Sequence, residues 1–324
     1  MSTATAAPPL RSQGATPIRL LRAELLKIWT TNTWWVFGIL TLAFTALTLL
    51  INILQADTDL AYAEQHKNDP MPNFNQDVPQ GAQGMSAEDI KQAQEFYLAS
   101  VNVGAILVRR AASIYTSGQF FALLFMVILG ALIVTNEFFH QTATTTFLTV
   151  PRRTHVILSK LGAAAVLAFG FWLVVTAIDL IAGSVFFAAK GYSTPLAEWP
   201  VLRSALMNLV AYVVWAMLGV GLGVLIRSQL GATLTGAAFY LLSFPIALTL
   251  FTLIRLYVIK ENWVWSWIVV IPGVASQILI SPEPLSIQFD VQGPPWWVGG
   301  LVLVGYGVLA GVVGTLITRK RDIS

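Results

Sequence analysis

The side chains that most often carry catalysis or metal binding are few and widely spaced in this chain. Its three histidines, His66, His140 and His155, form no H-x-x-x-H or H-E-x-x-H pair, and cysteine is absent. Disulfides, thiolate metal sites and cysteine nucleophiles are therefore excluded. The sequence also lacks the G-x-x-x-x-G-K-[ST] pattern of an ATP-binding P-loop and the G-x-S-x-G pattern of serine hydrolases. We therefore predict that the chain is not an enzyme and holds no metal or cofactor of its own.

Asp179 is the one acidic residue well inside an apolar stretch. A carboxylate at membrane depth marks a functional site by default, so Asp179 is a candidate for a translocation path. The alternative is an acid near the outer leaflet that is solvated or locally paired. No second acid, histidine or lysine within the apolar stretches is placed as its partner, which argues against a proton relay.

Composition sets the class of protein. Of the 324 residues, 56% are hydrophobic and 11% are charged, whereas a soluble domain carries roughly 25% charged residues. So few charges cannot cover a water-facing surface, which predicts an integral membrane protein. The net charge of +3 and the lack of a basic stripe interleaved with aromatic residues argue against a nucleic-acid partner.

The elements that must hold any site are membrane-spanning helices, each of which needs about 20 apolar residues. Six stretches qualify, and they predict an all-α protein: 34–54, 118–136, 161–187, 206–226, 231–254 and 297–317. A seventh stretch, 263–280, is split at its middle by Pro272 and Gly273. Because each half is too short to cross alone, we predict a re-entrant hairpin before the last span.

Basic residues orient the spans, because Lys and Arg accumulate in cytoplasmic loops. With six spans and a cytoplasmic N-terminus, the inside segments carry eleven of the 19 basic residues but three of the 16 acids. A full span at 263–280 would instead put the basic C-terminal tail outside. We therefore predict six spans with both termini in the cytoplasm.

The chain divides into a polar tail at 1–16, predicted to be disordered, and one membrane domain at 17–324. The tail's Arg, Ser and Ala content is also compatible with a transit peptide. Residues 17–33 form a basic amphipathic helix with Thr16 as N-cap, Pro17 at the first helical position, and an apolar face of Ile18, Leu21, Leu25 and Ile28. It lies in the membrane interface or extends the first span. Residues 55–117 form an external loop, irregular at first and helical from Ser86.

Two glycine pairs have the GxxxG spacing that lets helices approach closely. Gly219 and Gly223 lie in the fourth span, and Gly307 and Gly311 lie in the sixth. The spacing is compatible with packing inside one chain and with dimerisation.

Residues 137–160 interrupt the apolar pattern between the second and third spans. Apolar positions line one side of a short helix: Phe138, Phe139, Ala143, Phe147 and Val150. Pro151 ends that helix, because the residue before a proline is pushed out of helical geometry. The segment is either an elbow that presents polar groups to the cytosol or an ordinary basic loop.

This segment resembles the signature of the permeases of type-2 ABC exporters. In that family a span ends in E-[FY], and a Gly-Thr pair follows a few residues later. The motif continues with L-x-x-P, then one or two arginines, and then a lysine at the foot of the next span. The residues that match are Glu137, Phe138, Thr142, Leu148, Pro151, Arg152, Arg153 and Lys160. Gln141 stands where the family usually has glycine. The N-terminal helix, the six spans and the broken hairpin are also similar to that family.

The resemblance implies that the elbow, with Phe147 on its apolar side, is a coupling helix that docks into a separate ATPase subunit. ATP and Mg would be bound by that partner, and two permease chains would form a homo- or heterodimer. Glu137 would anchor the elbow or pair with a basic residue of the ATPase. The implied function is export of an amphiphilic or hydrophobic substrate, such as a lipid, peptide or drug, across a bacterial plasma membrane. The alternatives are an ATP-independent secondary transporter or channel, and a sensor or immunity component.

Overall fold

The computed structural model describes residues 16–72, 74, 87–142, 153–283 and 293–320. All regular secondary structure in these ranges is helical. The α-helices are α1 (Pro17–Thr30), α2 (Thr33–His66), α3 (Ala87–Val101), α4 (Val103–Tyr115), α5 (Gln119–Phe139), α6 (Arg153–Ala189), α7 (Trp199–Ile226), α8 (Gln229–Ile254), α9 (Pro272–Ile280) and α10 (Trp296–Lys320). A π-helical turn, Arg255–Ile259, extends α8, and 3-10 helices cover Pro195–Ala197 and Asn262–Val270.

Within the described ranges, six helical stretches are long and apolar enough to cross a membrane, as predicted. They are Thr33–His66, Val103–Phe139, Thr154–Ala189, Trp199–Ile226, Gln229–Ile259 and Trp296–Ile317. The second stretch combines α4 and α5, which a three-residue turn separates. The chain is therefore a multi-pass membrane protein with an all-α fold.

The first spanning helix continues beyond the predicted end at residue 54, to His66. Its last three turns bury Ala56, Leu60 and Ala63 against a cluster that includes Ile106 and Ile114 of α4. The polar residues between them lie on the other faces of the helix, so the mean hydropathy of this segment does not reveal its apolar stripe. The beginning of the predicted external loop at 55–117 is thus a packed helix.

The spanning helices run in alternating directions, which gives the bundle two ends. We call the end that carries α1, the end of α5, the start of α6 and the α7–α8 turn the α1 end. The opposite end, where α2 ends and α7 begins, is the far end. Six crossings return the chain to the end at which it started, so α1 and the last turn of α10 lie at the same end.

The stretch after α8 enters and leaves the bundle at the far end, as the predicted re-entrant hairpin requires. Trp263–Val270 and Pro272–Ile280 meet at an angle of 100°. At the exit, Arg203 in the first turns of α7 donates a hydrogen bond to the Ser281 carbonyl oxygen at 2.5 Å. The same guanidinium lies 5.0 Å from the ring centroid of Trp296, at the start of α10.

The close helix contact predicted from glycine spacing occurs within this one chain. At Gly219 of α7, an added Cβ would lie 2.1 Å from the carbonyl oxygen of Val127 in α5. At Gly130 of α5, it would lie 2.0 Å from the carbonyl oxygen of Ala216. Backbone meets backbone at this crossing, so α5 and α7 form the centre of the core. The Gly219–Gly223 pair is thus accounted for without a second copy.

Candidate functional site

The site begins with α1, whose first turn carries Pro17 as predicted. The Thr16 backbone carbonyl oxygen accepts a hydrogen bond from the Leu20 amide at 3.1 Å, and the Thr16 side chain makes no capping hydrogen bond. A break at Thr31 and Asn32 separates α1 from α2, and the Trp29 and Trp34 rings stack across it at 4.5 Å. In the structure α1 is therefore a helix separate from α2, and its place in the membrane interface stays a prediction.

The face of α1 that packs on the bundle has a carboxylate at its centre. Leu21, Leu25 and Ile28 are half-buried, as the predicted apolar face requires, whereas Ile18 is exposed. Glu24 lies between them and is 4% exposed. A charge this deeply buried requires a partner.

Two lysines and two glutamates from three helices form ion pairs with one another. Cations and anions alternate around a closed ring of four residues. Lys27 Nζ lies 2.8 Å from Glu24 Oε1 and 2.5 Å from Glu137 Oε1. Lys160 Nζ lies 2.9 Å from Glu24 Oε2 and 2.9 Å from Glu137 Oε1. We call these four residues the ion-pair ring. It joins α1 to the last turn of α5 and the second turn of α6.

The ring compensates charges that would be unfavourable alone. The Lys160 side chain is 2% exposed, and its ammonium also donates to the Ile133 carbonyl oxygen at 3.3 Å. Glu137 lies near the C-terminus of α5, where the helix dipole disfavours an anion, so it depends on both lysines. Lys27 is about half-exposed. Burial by itself lowers the pKa of Lys27, but the hydrogen bonds and charges of Glu137 and Glu24 outweigh burial and raise it.

A cavity of about 280 Å³ lies beside the ring at the α1 end. Its polar wall includes Lys27, Asn136, Glu137, His140 and Thr142, and its apolar wall comes from α1, α5 and the start of α2. The ring is therefore reachable from this end of the bundle, next to the point where the chain leaves α5.

The chain leaves α5 through a Schellman turn. Thr142 N–H donates to the Glu137 carbonyl oxygen at 2.9 Å, and Gln141 N–H donates to the Phe138 carbonyl oxygen at 3.2 Å. Gln141 has a φ of 56°, in the left-handed region that favours glycine. The position at which the resembled family has glycine thus keeps the glycine-like backbone. Thr142 is fixed directly to Glu137, the ring residue.

The structure brings some of the predicted coupling residues together and does not describe others. Glu137 and Lys160 meet in the ring, and Thr142 closes the turn. Phe138 and Phe139 are the last residues of α5 instead of the first residues of a separate elbow helix, because the α-helical hydrogen bonds continue through them. Arg153 begins α6, but its side chain lies outside the description. Phe147, Leu148, Pro151 and Arg152, with the predicted elbow, lie outside the described residues.

A second short connection reaches the same end of α5. At the α7–α8 turn, the Arg227 guanidinium lies 5.4 Å from the ring centroid of Phe138. Gln229 donates to Asn136 Oδ1 at 3.2 Å. The cluster at the end of α5 therefore connects α1, α6 and the α7–α8 turn.

A family comparison covers most of this region. A sequence model described as "Protein of unknown function (DUF2705)" matches residues 90–324. The chain belongs to the DUF2705 family. No curated protein matches it. The DUF2705 range includes Glu137 and Lys160 and begins after Glu24 and Lys27, so the ring joins the matched region to the helix that precedes it.

Glu24 and Lys27 were not among the predicted coupling residues. A signal for Glu24 was present, since it interrupts an apolar stripe of Leu21, Leu25 and Ile28 at helical spacing. Lys27 follows three residues later, on the same side of the helix. Nothing in the sequence connected this pair to Glu137 or Lys160.

Asp179, also inside the DUF2705 range, is fully buried near the far end. Its carboxylate faces the backbone amides of Ser117 and Gly118, at the turn between α4 and α5. Neither oxygen closes a hydrogen bond of standard length and angle. The carboxylate therefore lies at the N-terminus of α5, where the helix dipole favours an anion. A role in a translocation path stays a prediction.

Proposed function

We propose that the chain is the membrane-spanning permease subunit of an ATP-driven type-2 ABC exporter. The observation that carries this proposal is the ion-pair ring of Glu24, Lys27, Glu137 and Lys160. It fastens α1 to the two helices whose ends flank residues 143–152. A subunit that pushed on that connection would move α1, α5 and α6 together.

The partner in this proposal is a separate ATPase subunit that binds ATP and Mg. Residues 143–152 would dock into it, and the Schellman turn would pass the movement to Glu137 through the Thr142 hydrogen bond. The cavity beside the ring leaves Lys27, which is about half-exposed, accessible to a side chain of that partner. A second permease chain would complete the transporter, with the substrate path between the two permeases.

We assign the α1 end to the cytoplasm, because the predicted inside segments carry most of the basic residues. The resemblance to type-2 ABC exporters is the reason that the proposal assigns the chain to a bacterial plasma membrane. The proposed substrate is an amphiphile or a hydrophobic molecule. The spanning helices offer few charges with which to recognise a sugar or a metal ion.

Co-purification tests the partnership. The tagged chain, extracted from its native membranes in a mild detergent, should bring down an ABC ATPase at near-equal stoichiometry by mass spectrometry. If the chain purifies alone and moves a solute in liposomes without ATP, the exporter proposal fails. A secondary transporter, for which the buried Asp179 is the supporting observation, would then take its place.

Replacing Glu137 tests the coupling role. In proteoliposomes that contain the co-purified complex, Glu137→Gln should keep the ATPase bound but lower ATP-driven movement of a fluorescent short-chain phospholipid analogue per ATP hydrolysed. The control is Glu64→Gln, an exposed acid near the end of α2. Transport per ATP that is equal in the two variants would count against a coupling role for Glu137. A complex that hydrolyses ATP but moves no solute in any variant would favour a sensor.

A further inference from the structure

A second cavity lies at the far end of the bundle, remote from the ion-pair ring. Its volume is about 750 Å³, within the 300–1,000 Å³ typical of small-molecule sites. The walls come from α4, the start of α5, the middle of α8 around Pro245, and the re-entrant α9. Phe120, Tyr240 and Phe244 provide an aromatic side, and Arg109 and Gln119 lie on a polar side.

The two arginines that line this cavity differ in how well they are paired. Arg110 donates to Asp59 Oδ2 from Nε at 2.7 Å and lies 2.6 Å from it through a terminal nitrogen. It also donates to Gln55 at 3.0 Å. Arg109 lies 3.7 Å from the same Asp59 oxygen, which Arg110 already occupies, and 3.9 Å from Glu283. These distances are too long for hydrogen bonds.

Two donors in the cavity wall are therefore unused. Arg109 Nε is buried without a hydrogen-bond partner, and so is the side-chain amide nitrogen of Gln119. Gln119 is 3% exposed, so water cannot freely satisfy it. A buried donor without an acceptor is unfavourable, because it has given up its hydrogen bonds to water and gained none in return. A ligand with acceptor oxygens would remove that cost once the Arg109 guanidinium and the Gln119 amide rotate to face the cavity that these residues line.

We propose that this cavity binds an anionic amphiphile. Its headgroup oxygens would accept hydrogen bonds from Arg109 and Gln119, and its apolar chain would lie against Phe120, Tyr240 and Phe244. Glu283 is the internal anion that the headgroup displaces, because its side chain is about one-third exposed and only 3.9 Å from Arg109. The binding step needs no ATPase, so it does not rest on the exporter proposal. If that proposal also holds, the site identifies an anionic amphiphile as the substrate class.

Calorimetry on the purified full chain in a neutral maltoside detergent tests the binding. The probes are dihexanoyl phosphatidylglycerol, which is anionic, dihexanoyl phosphatidylcholine, which is zwitterionic, and inorganic phosphate, which has no apolar chain. Phosphatidylglycerol should bind and the other two should bind at least about tenfold more weakly, the scale of one charge-assisted hydrogen bond. Equal binding of the two lipids, or of phosphate and phosphatidylglycerol, would overturn the proposal.

Substitutions that are expected to change the affinity in opposite directions distinguish an effect on binding from an effect on folding. Arg109→Gln should weaken phosphatidylglycerol binding by about tenfold or more, whereas Glu283→Gln should strengthen it by about two- to fivefold. Arg255→Gln, the matched control, removes an exposed far-end charge outside the cavity and should leave affinity unchanged. If Arg109→Gln does not fold, Glu283→Gln and Gln119→Leu decide, with tighter and weaker binding expected respectively. Any other pattern refutes the assignment.

Lipid analysis identifies the source of the ligand. An anionic phospholipid enriched with the wild-type chain over Arg109→Gln would assign the site to a lipid of the bilayer. Binding of the added probe without such enrichment would assign it to a soluble amphiphile. Both outcomes support the chemical class, and neither depends on whether an ATPase is present.

Discussion

Lys160→Met should destabilise the protein strongly, because it removes the most buried charge of the ion-pair ring. Lys160 lies 2.9 Å from both Glu24 and Glu137, whose side chains are 6% and 8% exposed. Without it, two buried carboxylates share one half-exposed cation, Lys27. Breaking a buried ion pair on one side costs about 3–5 kcal/mol. Glu24→Gln should lower the free energy of unfolding less, by about 1.5–3 kcal/mol. In that variant Lys160 still has Glu137 as its ion-pair partner, and the glutamine amide fits the space of the carboxylate.

The double variant gives the sharper expectation. In the Lys160→Met background, Glu24→Gln removes an uncompensated buried charge, so it should stabilise the protein or cost nothing. The two substitutions should therefore be non-additive by about 1.5–3 kcal/mol or more. The assay is the free energy of unfolding of the purified chain, from denaturation in mixed maltoside and dodecyl sulfate micelles. The unfolding transition is followed by tryptophan fluorescence.

Lys67→Met is the matched control. Its ammonium lies 2.6 Å from Glu64, as close as the ring contacts, but both side chains are 40% or more exposed. Water and salt screen such a pair, so no measurable change is expected. Additive effects of Glu24→Gln and Lys160→Met would refute the ring as a coupled unit. A Lys67→Met loss as large as that of Lys160→Met would show that burial is not the cause.

Two further predictions concern the packing around α7. Gly219→Ala should lower unfolding stability by about 1–3 kcal/mol or more, because its Cβ would lie 2.1 Å from the Val127 carbonyl oxygen. Gly307→Ala, with no atom closer than 3.7 Å, should be neutral or stabilising in the same assay, and the opposite order would refute the crossing. Ser276→Ala should cost about 1–3 kcal/mol, because it leaves the buried Trp215 indole N–H without its acceptor at 2.8 Å. An unchanged unfolding midpoint would show that this hydrogen bond does not hold the re-entrant helix to α7.

The spanning architecture could be predicted because its signals are local. Length and apolarity alone define a helix that crosses a membrane, so all six spans were found. Pro272 and Gly273 placed the bend of the hairpin because proline cannot continue the preceding hydrogen-bonded turn. Gly219 and Gly223 indicated a close helix crossing, but their spacing did not say whether the neighbour belonged to the same chain.

Two helix ends differ from the predicted bounds, one because of packing against another helix and one because of a local turn. Residues 55–66 have a mixed polar composition, and their helix becomes clear only when α4 covers Ala56, Leu60 and Ala63. Phe138 and Phe139 were assigned to an elbow because the apolar pattern continues past them. The Schellman turn after them ends α5 instead, and Gln141 takes its left-handed conformation without the glycine that would have signalled it.

The sequence by itself determined a multi-pass all-α membrane protein, because apolar length is a property of each segment alone. The resemblance to type-2 ABC exporter permeases singled out Glu137 and Lys160, but not that they share one buried ring with Glu24, which lies 136 positions from Lys160 in the chain. Only the tertiary structure decided that arrangement, since buried charges are assigned partners by the packing of helices and not by spacing. Arg109 and Arg110 make the same point. They are adjacent in the sequence, yet the fold gives the close carboxylate contact to Arg110 and leaves Arg109 facing a cavity.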